Sequence, residues 1–288
     1  MISSKEIKVK IVSIRKIQKI TKAMQNIAAS KMRRAKQRML TTMPYAIKIR
    51  EVAQNIAVSD QYSEHPYLKK HGQICKVGYI VVSTDRGLCG GLNLNLFKLL
   101  LNHAQALRQQ QISALWCLFG KKAEVFFQNL GVDVRAHADS LGELPRVEDL
   151  LGSIKVMLDS YKTGELNQLF IAHNEFVSTI TQRPVIRQLL PLAANDKKVG
   201  SNGSYIYEPH SCYDVLLDMV ITRYIEAQVY QALVDNIACE QVARMVAMQN
   251  ATANCKSIID ELQILYNKAR QNTITNEIAE IVGGAKAV

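Results

Sequence analysis

Glycine and proline are almost confined to the middle of this chain, and that distribution constrains the fold more than any other feature. No glycine precedes Gly72, only Pro44 and Pro66 interrupt the first 71 residues, and residues 211–282 contain neither residue. Because helix interiors tolerate neither glycine nor proline well, the two ends are predicted to be helical and the middle globular.

Apolar residues recur with a helical period at both ends. Near the start they are three or four residues apart, at Ile7, Ile11, Ile14, Ile17, Ile20, Met24 and Ile27. Near the end the spacing alternates between three and four, at Met245, Met248, Thr252, Cys255, Ile259, Leu262, Tyr266, Ala269 and Thr273. This heptad pattern predicts that the two helices pack together as a coiled coil. Since both adjoin the globular middle, they are predicted to run antiparallel.

The two helices are predicted from about Ser4 to Ala57, with Pro44 as the candidate site of a bend, and from about Tyr213 to Val282. At 1.5 Å per residue they would be about 80 Å and about 100 Å long. The far end of the second helix is therefore expected to emerge as a single helix. Its apolar side carries Ile274, Ile278, Ile281 and Val282.

Charge is distributed unevenly along the chain, whose formal net charge is +11. Residues 1–51 contain 14 Lys or Arg and two acidic residues, whereas residues 213–282 contain five and nine. A basic helix is thus predicted to face a mildly acidic one. The run from Lys31 to Arg38 is interpreted as a solvated or acid-facing surface, because it lacks the interleaved aromatic residues of nucleic-acid-binding surfaces.

Residues 74–192 alternate between strand and helix patterns, which predicts a small Rossmann-like α/β sheet with helices on both faces. Strands are predicted at 77–83, 113–119, 132–135, 168–173 and 184–190, and helices at 93–110, 121–130 and 147–161. The predicted domains are an N-terminal coiled-coil helix (1–57), the α/β domain (74–192), a loop or foot segment (193–212) and a C-terminal coiled-coil helix (213–288).

The loop after the first strand is glycine-rich, reading Ser83-Thr-Asp-Arg-Gly-Leu-Cys-Gly-Gly-Leu-Asn93. Its spacing fits neither dinucleotide nor P-loop fingerprints, so it is interpreted as a tight turn that exposes Arg86 and Cys89 to a partner. Glu143, with its acidic neighbours, is interpreted as solvated. No catalytic, cofactor or metal motif is found, and the longest apolar run is too short to span a membrane. The widely spaced cysteines favour a reducing, cytoplasmic compartment.

Two other functions stay open on the residues alone. The first is a nucleotide-dependent enzyme that uses the middle domain, and the second is a nucleic-acid-binding coiled coil that uses the basic helix. The second predicts binding that falls steeply with salt.

Three segments resemble the gamma subunits of F-type ATP synthases, in their bacterial form. These segments are 5–33, 82–93 and 243–284, and the resemblance covers nearly the full length. It departs mainly at 60–76 and 195–204. The resemblance implies a non-catalytic rotor shaft without cofactor, peripheral to the cytoplasmic face of a bacterial inner membrane. The implied partners are three alpha and three beta subunits, the epsilon subunit and the membrane c-subunit ring, with no nucleic acid and no membrane insertion.

Individual residues follow from the same resemblance. Coupling contacts with beta subunits are implied for Met24, Arg244, Gln271, Thr275 and Glu277, and more weakly for Lys22 and Lys31. The loop that holds Arg86 and Cys89 is implied to face the lower lobe of beta. Contacts of the foot with the membrane ring and epsilon are implied for Tyr205, Tyr207 and Glu208. Core packing of Met24 and a heptad position for Thr275 stay open, whereas Arg244 and Gln271 lie off the apolar positions.

Overall fold

The computed structural model describes residues 4–58, 65–68, 74–192 and 213–286. The helices of this part of the chain are α1 Ser4–Val58, α2 Leu92–Gln109, α3 Lys121–Asn129, α4 Glu148–Lys162 and α5 Tyr213–Lys286. Its strands are β1 Lys76–Val82, β2 Ser113–Phe119, β3 Val134–Ala138, β4 Gln168–Phe176 and β5 Gln182–Leu190. The predicted fold class, two long terminal helices and a central α/β sheet, is confirmed.

The chain folds into two compact units. The helix-pair unit comprises Met1–Ser30 and Arg244–Val288, and the sheet unit comprises Lys31–Ala243. Both boundaries fall inside the long helices α1 and α5. The division of the chain into four domains stays a prediction.

The helix-pair unit is antiparallel, as predicted. Ile7 and Ile11 of α1 pack with Ile259 of α5. Further along α1, the Thr21 hydroxyl lies 2.8 Å from the hydroxyl of Thr252. Residue numbers on one helix therefore rise as those of their partners fall.

The predicted set of buried residues on α1 is partly wrong. The side chains that are buried or half-buried at heptad spacing are Ile7, Ile11, Ile14, Gln18, Thr21, Gln25 and Ala28. Ile17, Ile20 and Ile27 are instead 49%, 59% and 54% exposed. The predicted steps average about 3.3 residues, which drifts away from the 3.5 that keeps a two-helix contact facing its partner.

The sheet has the order β3-β2-β1-β4-β5. The first four strands are parallel, and β5 pairs antiparallel with β4 at the edge. One face packs on α2 and α3 through residues such as Leu96 and Phe127. The other face packs on α4 and on the α1 and α5 segments of this unit, through residues such as Ile154 and Ile225. Helices on both faces and an edge position for β5 were both predicted.

The carboxyl ends of β1 and β2 are joined through Ser83 and Gly120. The Ser83 amide donates to the Phe119 carbonyl at 2.8 Å, and the Ser83 hydroxyl accepts the Ala123 amide at 2.9 Å. Gly120 has a φ of +92°, and a Cβ there would lie 2.6 Å from the Ser83 carbonyl oxygen. Only glycine therefore fits this crossing.

Replacing Gly120 with alanine is expected to destabilise the sheet unit by about 3 kcal/mol, because the left-handed backbone and the overpacking against Ser83 both cost free energy. Gly164 is the matched control, since its φ is +77° but a Cβ there meets open space. Gly164→Ala is expected to cost about 1 kcal/mol. Denaturant unfolding followed by fluorescence of Trp116, the single tryptophan, measures both. Equal losses would contradict the Ser83 contact.

Candidate partner-contact surfaces

One side of α1 in the helix-pair unit presents an exposed apolar row. Ile17, Ile20, Met24 and Ile27 share that side because steps of three and four follow the helix period. Met24 is half-buried beside the heptad positions, so part of its side chain is open. Lys22 is exposed, and its ammonium group donates to the Gln25 amide oxygen at 3.2 Å. Contiguous exposed apolar side chains of this kind are typical of a contact surface.

The far end of α5 is exposed on all sides. Every side chain from residue 270 to residue 282 is exposed, including the candidates Gln271, Thr275 and Glu277. The Thr275 hydroxyl donates to the Gln271 carbonyl at 2.9 Å, so it is satisfied within its own helix. Among the described residues, Thr275 is thus not covered by a heptad partner. Apolar side chains on the same segment, such as Ile278 and Ile281, are 56% and 70% exposed.

Arg244 differs from the expectation that it lies away from the apolar positions. It is only 9% exposed, whereas Met245 beside it is half-buried. A long arginine side chain can lie along a helix surface and cover its stem, which apolarity patterns do not reveal. A partner contact at Arg244 stays a prediction.

The glycine-rich loop is held by its own side chains. The Asn93 amide nitrogen donates to the Thr84 hydroxyl at 2.7 Å, and the Thr84 hydroxyl donates to the Arg86 carbonyl at 2.8 Å. Arg86 is exposed, as predicted. The expected exposure of Cys89 is wrong, because Cys89 is 4% exposed and packs with Leu92 and Cys239. Gly90, which follows Cys89, has a φ of +59°, a backbone conformation that favours glycine.

The amide groups at the start of α3 are also occupied by this loop. The Lys121 amide donates to the Asp85 carboxylate at 3.2 Å, and the Lys122 amide donates to the Thr84 carbonyl at 3.1 Å. The Ala123 amide donates to the Ser83 hydroxyl, as described above. Amides at a helix start are the groups that bind phosphate in nucleotide sites. In this chain, these amides are instead hydrogen-bonded to groups of the loop itself.

The basic run on α1 has an acidic contact that sequence reasoning missed. The Lys31 ammonium group forms an ion pair with the Glu143 carboxylate, and the Arg38 guanidinium donates to the Glu143 carbonyl at 3.4 Å. The Glu143 side chain is nevertheless 52% exposed, which agrees with the interpretation that it is solvated. The two residues are 112 positions apart, so no local pattern could have found the pair.

The foot candidates Tyr205, Tyr207 and Glu208 lie outside the described residues. Within residues 4–58, 65–68, 74–192 and 213–286, no three His, Cys, Asp or Glu side chains are grouped so that they could hold a metal ion. No helix in this part of the chain is long and apolar enough to cross a membrane.

Comparison with known proteins decides the family. A family model described as ATP synthase matches residues 3–288. Over the full length of both chains, the sequence is 52% identical to the ATP synthase gamma chain of Coxiella burnetii and 51% identical to that of Nitrosococcus oceani. The chain belongs to the family of ATP synthase gamma chains. The resemblance found in the sequence is thereby confirmed.

Solved structures share the fold. A chain of the Euglena gracilis mitochondrial ATP synthase, in a structure of OSCP, F1 and c-ring, aligns with a TM-score of 0.68 at 19% identity, covering 99% of this chain and 94% of that one. A chain of the Tetrahymena thermophila mitochondrial ATP synthase, in a structure of the central stalk and c-ring, aligns with a TM-score of 0.59 at 22% identity. It covers 81% of this chain and 99% of that one.

The burial of Cys89 predicts selective thiol labelling of this gamma chain. Cys75 is exposed, whereas Cys89, Cys117 and Cys239 are buried. Burial also raises the pKa of the Cys117 thiol to about 12, which removes the reactive thiolate. Brief maleimide treatment followed by peptide mass spectrometry is expected to label Cys75 at least about tenfold faster than Cys89. Comparable rates would show that the loop does not bury Cys89.

Proposed function

We propose that this chain is the central rotor shaft of an F-type ATP synthase. In this role it is a non-catalytic subunit that couples proton flow through a membrane c-ring to ATP synthesis or hydrolysis at catalytic beta subunits. Membership of the gamma-chain family supports the assembly of this chain into an ATP synthase. The observation that carries the mechanical role is the exposed end of α5 from residue 270 to residue 282.

The exposed side chains of the helix-pair unit suit contact with a surrounding ring. Apolar side chains at Ile20, Ile278 and Ile281 would lose contact with water against partner subunits, which favours association. Gln271 and Glu277 add polar contacts on the same segment. A shaft that turns must not bind too tightly at one angle, so many modest contacts suit it better than a few strong ones.

The contacts of the glycine-rich loop and of the basic run on α1 support a non-catalytic role. The glycine-rich loop fills the start of α3 with Ser83, Thr84 and Asp85, which disfavours a nucleotide-dependent enzyme at that edge of the sheet. The ion pair of Lys31 with Glu143 reduces the free positive charge that a nucleic-acid surface would need. The observations therefore support a nucleotide-dependent enzyme and a nucleic-acid-binding protein less well than they support the shaft.

The remaining partners are proposed from the family. The foot residues Tyr205, Tyr207 and Glu208 are proposed to meet the c-ring and epsilon, and the exposed Arg86 to meet the lower lobe of beta. The solved structures that share this fold are of a c-ring with F1 and of a central stalk with a c-ring, which is consistent with this arrangement. We place the complex at the cytoplasmic face of a bacterial inner membrane.

Reconstitution of the purified chain with alpha and beta subunits tests the proposal. The expected product contains three alpha, three beta and one copy of this chain, and its ATPase activity requires the chain. Sizing and an ATPase assay measure both properties. If no complex forms, and the chain instead binds nucleic acid in a salt-sensitive way or binds a dinucleotide tightly, the shaft proposal is wrong.

Replacing Met24 with lysine tests the coupling contact. We expect Met24→Lys to lower proton pumping per ATP hydrolysed several-fold while the complex still assembles. The reason is that a charge at this half-buried position changes the affinity of the shaft for the beta subunits as it turns. The measurement compares ATP-driven acidification of membrane vesicles with their ATPase rate.

Asn26→Lys is the matched control for Met24→Lys. Asn26 is exposed on the same helix, away from the apolar row, so the same added charge is expected to leave the coupling ratio near the parent value. If Met24→Lys prevents assembly, Met24 is a core residue and the coupling role is wrong.

A further inference from the structure

A polar cavity of about 160 Å³ lies inside the sheet unit, where α1, α5, β4 and β5 meet. Its lining includes Arg50 of α1, His173 of β4, Arg187 of β5, and Tyr224 and Asp235 of α5. At about 30 Å³ per water molecule, the cavity has room for about five waters, or for a small ion with several oxygen atoms. It lies apart from every partner-contact candidate described above.

His173 lines this cavity and carries an unpaired polar atom. The residue is 3% exposed and its Nδ1 atom makes no hydrogen bond within the described residues, while Nε2 lies 4.0 Å from an Asp235 carboxylate oxygen. Burial lowers the pKa of His173 to about 3, so the ring is neutral at physiological pH. Buried polar atoms normally find a partner, so the Nδ1 atom is available to a water molecule or an ion.

The charges around the cavity favour an anion. The Arg50 guanidinium donates to the Gln228 side-chain oxygen rather than to a carboxylate. Arg187 is paired with Glu175, which is also bound by Arg183 at 2.8 Å. Guanidinium groups present several donors in a plane, so each can bind a further oxygen atom while it keeps these contacts.

Asp235 is the acidic group that faces this positive charge. One of its carboxylate oxygens accepts the Gln231 amide nitrogen at 2.7 Å. Burial raises the pKa of the Asp235 carboxyl to about 6, so its charge is readily lost by protonation. A protonated Asp235 would donate to an oxygen atom instead of repelling it.

We propose that this cavity binds a small inorganic oxyanion of the phosphate or sulfate class. Arg50 and Arg187 supply the charge, and the Tyr224 hydroxyl and the His173 ring nitrogen supply further donors. Charge-assisted hydrogen bonds to guanidinium groups are the strong contacts of such sites. The bound anion would join α1 and α5 to β4 and β5 within the sheet unit, and so stabilise their packing.

Anion binding at this site is predicted to depend on pH. Sulfate is the probe, because its charge is constant between pH 5 and pH 8. Deprotonated Asp235 repels the anion, so sulfate is expected to bind more tightly as the pH falls through about 6. His173 is expected to stay neutral over that range, since its pKa is about 3. Arg183 and Arg187 lower the pKa of Glu175 despite its burial, and burial raises the pKa of Tyr224, so neither titrates there. Asp235→Asn is expected to bind sulfate tightly at pH 8 and to lose the pH dependence.

Calorimetric titration of the full chain with sulfate and with inorganic phosphate, at constant ionic strength set with chloride, tests the proposal. Arg187→Gln is expected to weaken binding about tenfold, since a lost charged hydrogen bond has that effect. Arg183→Gln is the matched control and is expected to change binding less than about twofold, because Arg183 shares the Glu175 ion pair but does not line the cavity.

A second pair of variants serves if Arg187→Gln fails to fold. Tyr224→Phe removes only the cavity hydroxyl, and Tyr230→Phe removes a hydroxyl that contacts Pro145 elsewhere on the same helix. Only Tyr224→Phe is expected to weaken anion binding. No binding beyond chloride would mean that the cavity holds water alone, and equal effects of the paired variants would place the anion elsewhere. Either result overturns the proposal and leaves the shaft proposal untouched, because assembly is not measured.

Discussion

The need to cover the apolar positions of two long helices controls this structure. α1 has 55 residues and α5 has 74, and helices of such length depend on packing rather than on propensity. The two units provide that cover differently. In the sheet unit, α5 buries Ile221, Ile225 and Val229 against the sheet-side core. In the helix-pair unit, the buried apolar residues of α5 lie at heptad positions, at Met248, Cys255 and Ile259. One helix is thus a core element in one unit and half of a two-helix contact in the other.

The helix-pair contact changes character along its length. Ile7, Ile11 and Ile259 form an apolar cluster, whereas Thr21 and Thr252 meet through their hydroxyl groups. Small and polar residues at the contact leave isoleucines on the outside, which is the reverse of an ordinary amphipathic helix. This reversal weakens the pair on its own but suits a segment whose outer surface is covered by partner subunits, as the proposed shaft requires.

Local patterns were sufficient for most elements, and long-range contacts account for the errors. The glycine and proline distribution predicted both long helices, and the alternation of strand and helix patterns predicted β2 with the bounds that the structure has. Helical spacing from Ile14 allows both Ile17 and Gln18, and hydrophobicity favoured Ile17. The structure half-buries Gln18 instead, because the geometry of the partner helix decides. The burial of Cys89 depends on Leu92 and on Cys239, and the latter is 150 positions away. Contacts over such distances leave no periodic signal in a single sequence.

At the carboxyl edge of the sheet, groups of the chain itself occupy the amides at the start of α3. Rossmann-like sheets normally bind ligands outside this edge, where helix amides and a glycine-rich turn face an open crevice. Here the turn folds back, and Ser83, Thr84 and Asp85 take the amides at the start of α3. The glycines therefore lie in a turn whose own residues already bind these amides. What the loop leaves outside is Arg86 together with Leu88, which is 60% exposed and has a φ of +63°. If the chain is the proposed shaft, the strained, exposed Leu88 and the exposed Arg86 beside it form part of the contact with another subunit.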